Sequence, residues 1–165
     1  VGDKINRILA STDFSNDSRK AVDYAVFLAK SLDAELQLVH VLEPPFPSTD
    51  PAYLKMLGEL AEADAQKLKS LAKEIEQRLP NVRSFCREGA AAVTIVKTAE
   101  ELGSDLIVLG THGRTGMAHA FIGSVAERVL RLAHCPVITV RGDEAPPLET
   151  KGATIPLGPS ISPAG

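Results

Sequence analysis

Five short strand-like segments alternate with stretches of helical periodicity, and this alternation constrains the fold more than any other feature of the chain. Arg7–Ala10, Leu36–Leu42, Val82–Cys86, Leu106–Leu109 and Val137–Val140 read as strands, with Pro44-Pro45 ending the second and Pro136 preceding the fifth. The first helical stretch carries Val22, Ala25, Val26 and Ala29 on one face and is entered through Ser15 or Asn16 as cap. The second carries Leu54, Leu57, Ala61, Leu68, Leu71, Ile75 and Leu79 at three- and four-residue steps, which reads as core packing, with its Glu, Lys and Asp residues on a solvated face. The third runs over Ala91–Leu102 and is closed by Gly103, and the last is expected to turn Val125, Val129 and Leu132 inward. Strands separated by helices imply parallel pairing, because parallel neighbours need a crossover. Right-handed crossovers place helices on both faces. The expected fold is therefore α/β, an open doubly wound sheet of five parallel strands. The apolar first and fourth strands are expected at its centre. Ligands of such sheets sit beyond the carboxyl ends of the strands, where the strand order reverses. That point is expected between Ala10–Asp13 and Leu109–Gly113. The pattern alone leaves the strand order open.

Composition narrows the function classes. The 165 residues amount to one domain. Lys and Arg total 18 against 21 Asp and Glu, a net charge of −3, which argues against nucleic acid as partner. No apolar run approaches the roughly 20 residues that cross a bilayer, so no membrane insertion is expected. The opening VGDKINRILA lacks the pattern of an export signal, which makes the cytoplasm the expected location. Two cysteines form no framework, and the four histidines show no metal-ligand spacing. Residues 142–165 hold five of the 11 prolines and four of the 12 glycines and read as a tail appended to a domain over 1–141.

One loop carries recognisable chemistry. Gly110-Thr111-His112-Gly113 follows the fourth strand, and after nine further residues Gly123-Ser124 leads into the last helix. Glycines let the backbone approach an anion, and successive amides in such a loop form an anion-binding concavity. The amides of Ser124, Val125 and Ala126 open a helix, whose first N–H groups lack partners and whose dipole favours negative charge. The Ser124 hydroxyl can cap that helix or bond a phosphate oxygen, and Arg114 is the nearby cation. The plainer reading is a connector that uses glycines for turns.

Gly110, Gly113, Gly123 and Ser124 match the nucleotide-binding pattern of the universal stress protein family: Gly, two residues, Gly, nine residues, Gly, then Ser or Thr. DLIVLGTHGRTG, GSVAERVL, CPVITVR, ILASTDFS and EGAAAVTIVKTAEELGSD also resemble that family, over residues 3 to 141. The complete glycine pattern resembles its ATP-binding subgroup. The resemblance implies a five-stranded parallel sheet in the order 3-2-1-4-5. It also implies a homodimer through the last strand, Val137–Val140, whose apolar edge invites pairing. The tail is expected to lie on the partner subunit.

Carried over residue by residue, the resemblance implies that Asp13 reaches the adenosine part of a nucleotide and that Val41 meets adenine with its backbone. Leu109 and Gly110 then border the ribose, while Gly113, Arg114, Gly123, Ser124 and Val125 hold phosphates. The implied ligand is ATP, or ADP or AMP, with Mg²⁺, and the implied role is stress-response or regulatory binding read by an unknown downstream protein. No catalytic residue and no protein metal site are assigned. The alternatives are a slow ATPase or phosphotransferase, with at most weak hydrolysis expected because no Walker A lysine pattern is present, or a nucleotide-free chaperone-like dimer. In isolation Asp13 reads first as a turn or cap residue, and the loop motif is what turns the reading toward a ligand. His40 reads as a satisfied structural histidine, and His112 and His119 as solvent-facing loop residues. The order 3-2-1-4-5 puts Cys86 and Cys135 at opposite edges, roughly 19 Å apart by strand spacing. Free thiols, packed as small apolar residues, are therefore expected.

Overall fold

The computed structural model describes residues 4–111 and 122–141. Nine elements alternate: β1 (Arg7–Ser11), α1 (Asn16–Leu32), β2 (Glu35–Leu42), α2 (Pro51–Glu76), β3 (Val82–Glu88), α3 (Ala91–Leu102), β4 (Leu106–Gly110), α4 (Ser124–Leu132) and β5 (Val137–Val140). All neighbouring strands pair in parallel, in the order β3-β2-β1-β4-β5. The fold class and the strand order are those expected. Ile8 lies level with Leu36 on one side and Leu106 on the other, so β1 is hydrogen-bonded along both edges.

Two apolar layers sandwich the sheet. Ile8, Ala10, Leu36, Leu38 and Val108 face α1 and α2. Leu9, Val39, Ile107 and Leu109 face α3 and α4. Successive strand residues point to opposite faces. A strand apolar at every position, as β1 and β4 nearly are, is therefore one covered on both sides.

The helix ends follow local chemistry. Ser15 caps α1 by accepting from the Ser18 amide, and Asp50 caps α2 by accepting from Ala52 and Tyr53. Gly103 ends α3 in the left-handed region at φ 62°. A Cβ at Gly103 would stand 2.8 Å from the mobile end of the Arg7 side chain, which can move aside, so it is the positive φ that favours glycine there.

Four expectations need correction. On α4 it is Ala126 and Val129 that are buried, while Val125 and Leu132 are 37% and 39% exposed. The nine-residue helix rests on the sheet over barely one turn, too short for three successive inward positions. On α2 the leucine stripe is core only in its second half, with Leu68, Ala72 and Ile75 buried and Leu54 51% exposed. The helix, about 39 Å long at roughly 1.5 Å per residue, outruns the sheet beneath it. Its charged residues are not all solvated: Asp64 is 2% exposed. Finally, both cysteines are free, but Cys86 is exposed and only Cys135 is half-buried. The tail lies outside the described residues.

Asp64 survives burial through its partners. One oxygen accepts from Lys67 Nζ at 2.9 Å, and the other is 3.1 Å from His40 Nε2. Burial pushes the Asp64 carboxyl up, but Lys67 and His40 together outweigh it and hold the carboxyl below its ordinary 3.8. A carboxylate depressed in the folded state adds stability above its unfolded pKa, and that stability is lost as pH falls through the folded value.

Two outcomes are expected in urea unfolding. Ile107→Ala removes a fully buried side chain and should cost about 2–5 kcal/mol. Asp64→Asn should cost about 3 kcal/mol at neutral pH, with a deficit that shrinks as pH falls below 3.8. A deficit independent of pH would show that the charge is not what Asp64 contributes.

Candidate functional site

The chain leaves β1 toward one face of the sheet and β4 toward the other, so their carboxyl ends diverge. A cleft of about 280 Å³ opens between them. Seven of the nine residues expected at a ligand line it: Asp13, Val41, Leu109, Gly110, Gly123, Ser124 and Val125. Gly113 and Arg114 lie outside the described residues, as do His112 and His119.

The floor is built from the Ser11–Ser18 segment. The Thr12 amide donates to Val39 O at 2.9 Å, which extends the β1–β2 ladder by one rung before the chain turns. The Thr12 hydroxyl accepts from the Phe14 amide at 3.1 Å and shares a hydrogen bond with the Ser18 hydroxyl at 3.1 Å. Ser18 Oγ also donates to Ser15 O and accepts from the Asp13 amide. Asp13 Oδ1 accepts from both the amide and the hydroxyl of Ser15. Asp13 is thus a turn residue as well as a cleft residue, and the two readings of it coexist. The turn bends sharply enough to hold Phe14, a non-glycine residue, at φ 64°, a conformation that costs an L-residue about 1 kcal/mol.

The opposite wall is the start of α4. Gly123 is its N-cap, with φ −60° and ψ 151°, and among the described residues no side chain caps the helix start. Ser124 therefore stands at the first helical position rather than the cap. The Gly123 amide donates to Thr111 O at 2.7 Å, which pins the helix start to the end of β4. Thr111 in turn donates its amide to Val140 O at 2.9 Å. An uncapped helix start facing a cleft is a site where an anion supplies the missing acceptors.

The third wall was not anticipated. Ala91 and Ile95 of α3 border the cleft beside Val41. The available signal was the Gly89-Ala90-Ala91-Ala92 run, where small side chains keep the α3 start low against the sheet. Ser18 was also missed as a lining residue, while Ser11 and Thr12 lie within the Ala10–Asp13 stretch where the ligand point is expected. They look like turn and cap residues, and they are that too. Phe46 of the β2–α2 loop and Tyr53 in the first turn of α2 lie away from the cleft: their rings stack on each other at 4.6 Å, and the Tyr53 hydroxyl donates to Phe46 O at 2.7 Å.

Below the floor, on the α1–α2 side of the sheet, His40 is 3% exposed. Its Nδ1 lies 2.8 Å from Thr12 O. Both ring nitrogens are thus partnered, as expected of a satisfied histidine. Among the described residues no group of three or more His, Cys, Asp or Glu is arranged to hold a metal ion. No helix among them is long and apolar enough to cross a membrane.

Comparison with known proteins agrees with this geometry. The family model described as "Universal stress protein family" matches residues 4–141. A universal stress protein of Methanocaldococcus jannaschii is 38% identical over 139 residues, covering 82% of this chain and 81% of that protein. Among solved structures, the universal stress protein UspA from Lactobacillus plantarum superposes with a TM-score of 0.75 at 29% identity, covering 85% of this chain and all of that one. A universal stress protein solved in complex with cAMP shares the fold, with a TM-score of 0.61 at 22% identity over 85% of this chain and 99% of that one. With the sheet order and these matches in agreement, the chain belongs to the universal stress protein family.

Proposed function

We propose that the chain binds an adenine nucleotide, ATP foremost, in the cleft between β1 and β4, and that the liganded state serves a regulatory role in the stress response. The observation that carries this reading is the uncapped start of α4 standing in one cleft with the Asp13 turn. The two walls offer complementary chemistry. A carboxylate at the end of β1 accepts hydrogen bonds from ribose hydroxyls. The first amides of α4 donate to phosphate oxygens. Between them Gly110, Ala91 and Val41 leave a mostly apolar slot suited to a base. That the fold accommodates an adenine nucleotide in the cAMP-bound neighbour supports the choice of ligand. Mg²⁺ fits this reading as a companion of the triphosphate, since it is commonly held by substrate phosphates and waters with few protein ligands. The remaining phosphate contacts are assigned to Gly113 and Arg114, on the pattern of the glycine loop.

We further propose a homodimer formed by pairing β5 with its copy, in the cytoplasm. Among the described residues β5 is bonded to β4 along one edge only, and it carries half-buried Val137 and Ile138. Leu130 and Leu132 of the adjoining α4 are exposed. An apolar edge of this kind is a template for a further strand.

Two measurements test these readings. Mass spectrometry of gently purified, then denatured, protein should release an adenine nucleotide, and calorimetry should show ATP binding well below millimolar. Ser124→Pro is the informative variant. Proline is tolerated at the first helical position, and the extended Gly123 suits a following proline. The change deletes one amide donor and the hydroxyl while leaving α4 intact. It should weaken ATP about tenfold, the value of one charge-assisted hydrogen bond, with unchanged far-UV dichroism. Ser124→Ala should weaken it less. Equal affinity in all three proteins would place the phosphates elsewhere. For the dimer, light scattering at micromolar concentration should give twice the chain mass, and a monomer would refute the β5 pairing.

A further inference from the structure

We propose that His40 is a positioning residue for the cleft: as a doubly protonated ring it ties the carbonyl of Thr12, where the Asp13 turn begins, to the Asp64 carboxylate on α2. The inference rests on the reading of the cleft as a nucleotide site and adds a regulatory input to it.

Proton bookkeeping at the two ring nitrogens carries the argument. Nδ1 is 2.8 Å from Thr12 O. A carbonyl can only accept, so Nδ1 carries a proton. Nε2 is 3.1 Å from Asp64 Oδ2. The other Asp64 oxygen accepts from the Lys67 ammonium at 2.9 Å. That ammonium keeps the carboxyl ionised, and an ionised carboxylate can only accept, so Nε2 carries a proton as well. A ring with either proton removed would aim a lone pair at an oxygen in a site closed to water. Loss of the Nε2 proton releases α2, and loss of the Nδ1 proton releases Thr12.

The groups around the ring are consistent with a charged state. From α2 it faces Asp64 and Lys67. From β3 its register partner is Cys86, whose thiol, partly screened from water and near Asp64, is pushed up and stays neutral. From the turn after β1 it faces the Phe14 ring, 4.4 Å away between centroids. The same Phe14 ring has Lys67 Nζ 5.5 Å from its centroid. Asp13 is the next residue after the carbonyl that His40 holds. The bridge therefore runs from the buried face of α2, along one side of the sheet, to the residue next to the one assigned to the ribose.

If the protonated bridge holds the turn in its binding shape, nucleotide and proton favour each other's binding by the same factor. The experiment pairs a spectroscopic reading of the ring with affinity. Ring ¹⁵N–¹H spectra of the wild-type chain at neutral pH should show two protonated nitrogens on His40. Asp64→Asn should leave one, and should weaken ATP about tenfold at neutral pH, well within reach of calorimetry. Asp64→Glu should restore much of both. A purely structural His40 would show the same number of protonated ring nitrogens in both proteins. A singly protonated wild-type ring at neutral pH overturns the proposal even if no variant folds. So does a folded Asp64→Asn protein with a neutral ring and undiminished affinity. A doubly protonated ring in a wild-type chain that binds no ATP overturns the nucleotide reading and the positioning role with it, leaving only the bridge.

Discussion

Parallel pairing of β1 along both of its edges is the constraint on which the rest of the molecule depends. Ile8, Leu9 and Ala10 each have a register partner in β2 and another in β4. The neighbours on the two sides are reached by crossovers on opposite faces, so α1 and α2 cover one face and α3 and α4 the other. The chain must then part company with itself where β1 and β4 end. That parting makes an opening whose walls are backbone turns and a helix start rather than side chains of a packed core. The cleft follows from the topology, and the particular residues decide what it accepts.

Polar burial in the described chain is concentrated near that opening. Thr12, Ser18, His40, Asp64 and Thr111 are buried polar residues at or just below the cleft. Each is hydrogen-bonded, either to a neighbouring side chain or in the ladder that continues β1 and β4. A buried polar group is tolerable only when its hydrogen bonds are complete, and a complete network fixes one geometry where an apolar contact allows several. Such a network is rigid ground under the Asp13 turn. Gln37, buried at the other end of β2, is similarly held, by the Ser104 hydroxyl and Glu35, and there it joins the α3–β4 connection to the sheet.

Much of this was legible from residue order alone. The all-apolar Leu106–Leu109 run announced a strand covered on both faces. The glycine spacing from Gly110 to Gly123 located the cleft. The parts that were not legible share one cause. Helical periodicity tells which residues share a face but not how far along the helix the sheet extends. Leu54 and Leu68 are equivalent by spacing, yet only Leu68 has a sheet beneath it. Val125 and Val129 likewise share a helical face by spacing, and the rim of the cleft separates them. Asp64 looked like its solvated neighbours Glu62 and Glu59, because its burial is set by His40, a residue 24 positions earlier on another element. Ala91 and Ile95 went unnoticed at the cleft because an alanine lining a slot has the same signature as an alanine packing a core.

The overhang of α2 has a mechanical consequence. Thirteen residues separate Pro51 from Asp64, an arm of about 20 Å at roughly 1.5 Å per residue. The deeply buried footing of the helix is confined to Asp64 and the residues after it. A tilt of about 5° about that footing displaces the free end by about 2 Å, which is simple trigonometry on the same rise. The helix is therefore built as a pointer, with its pivot on an ion pair. Whatever alters the pivot is magnified at Leu54 and Met56, apolar side chains already turned to solvent.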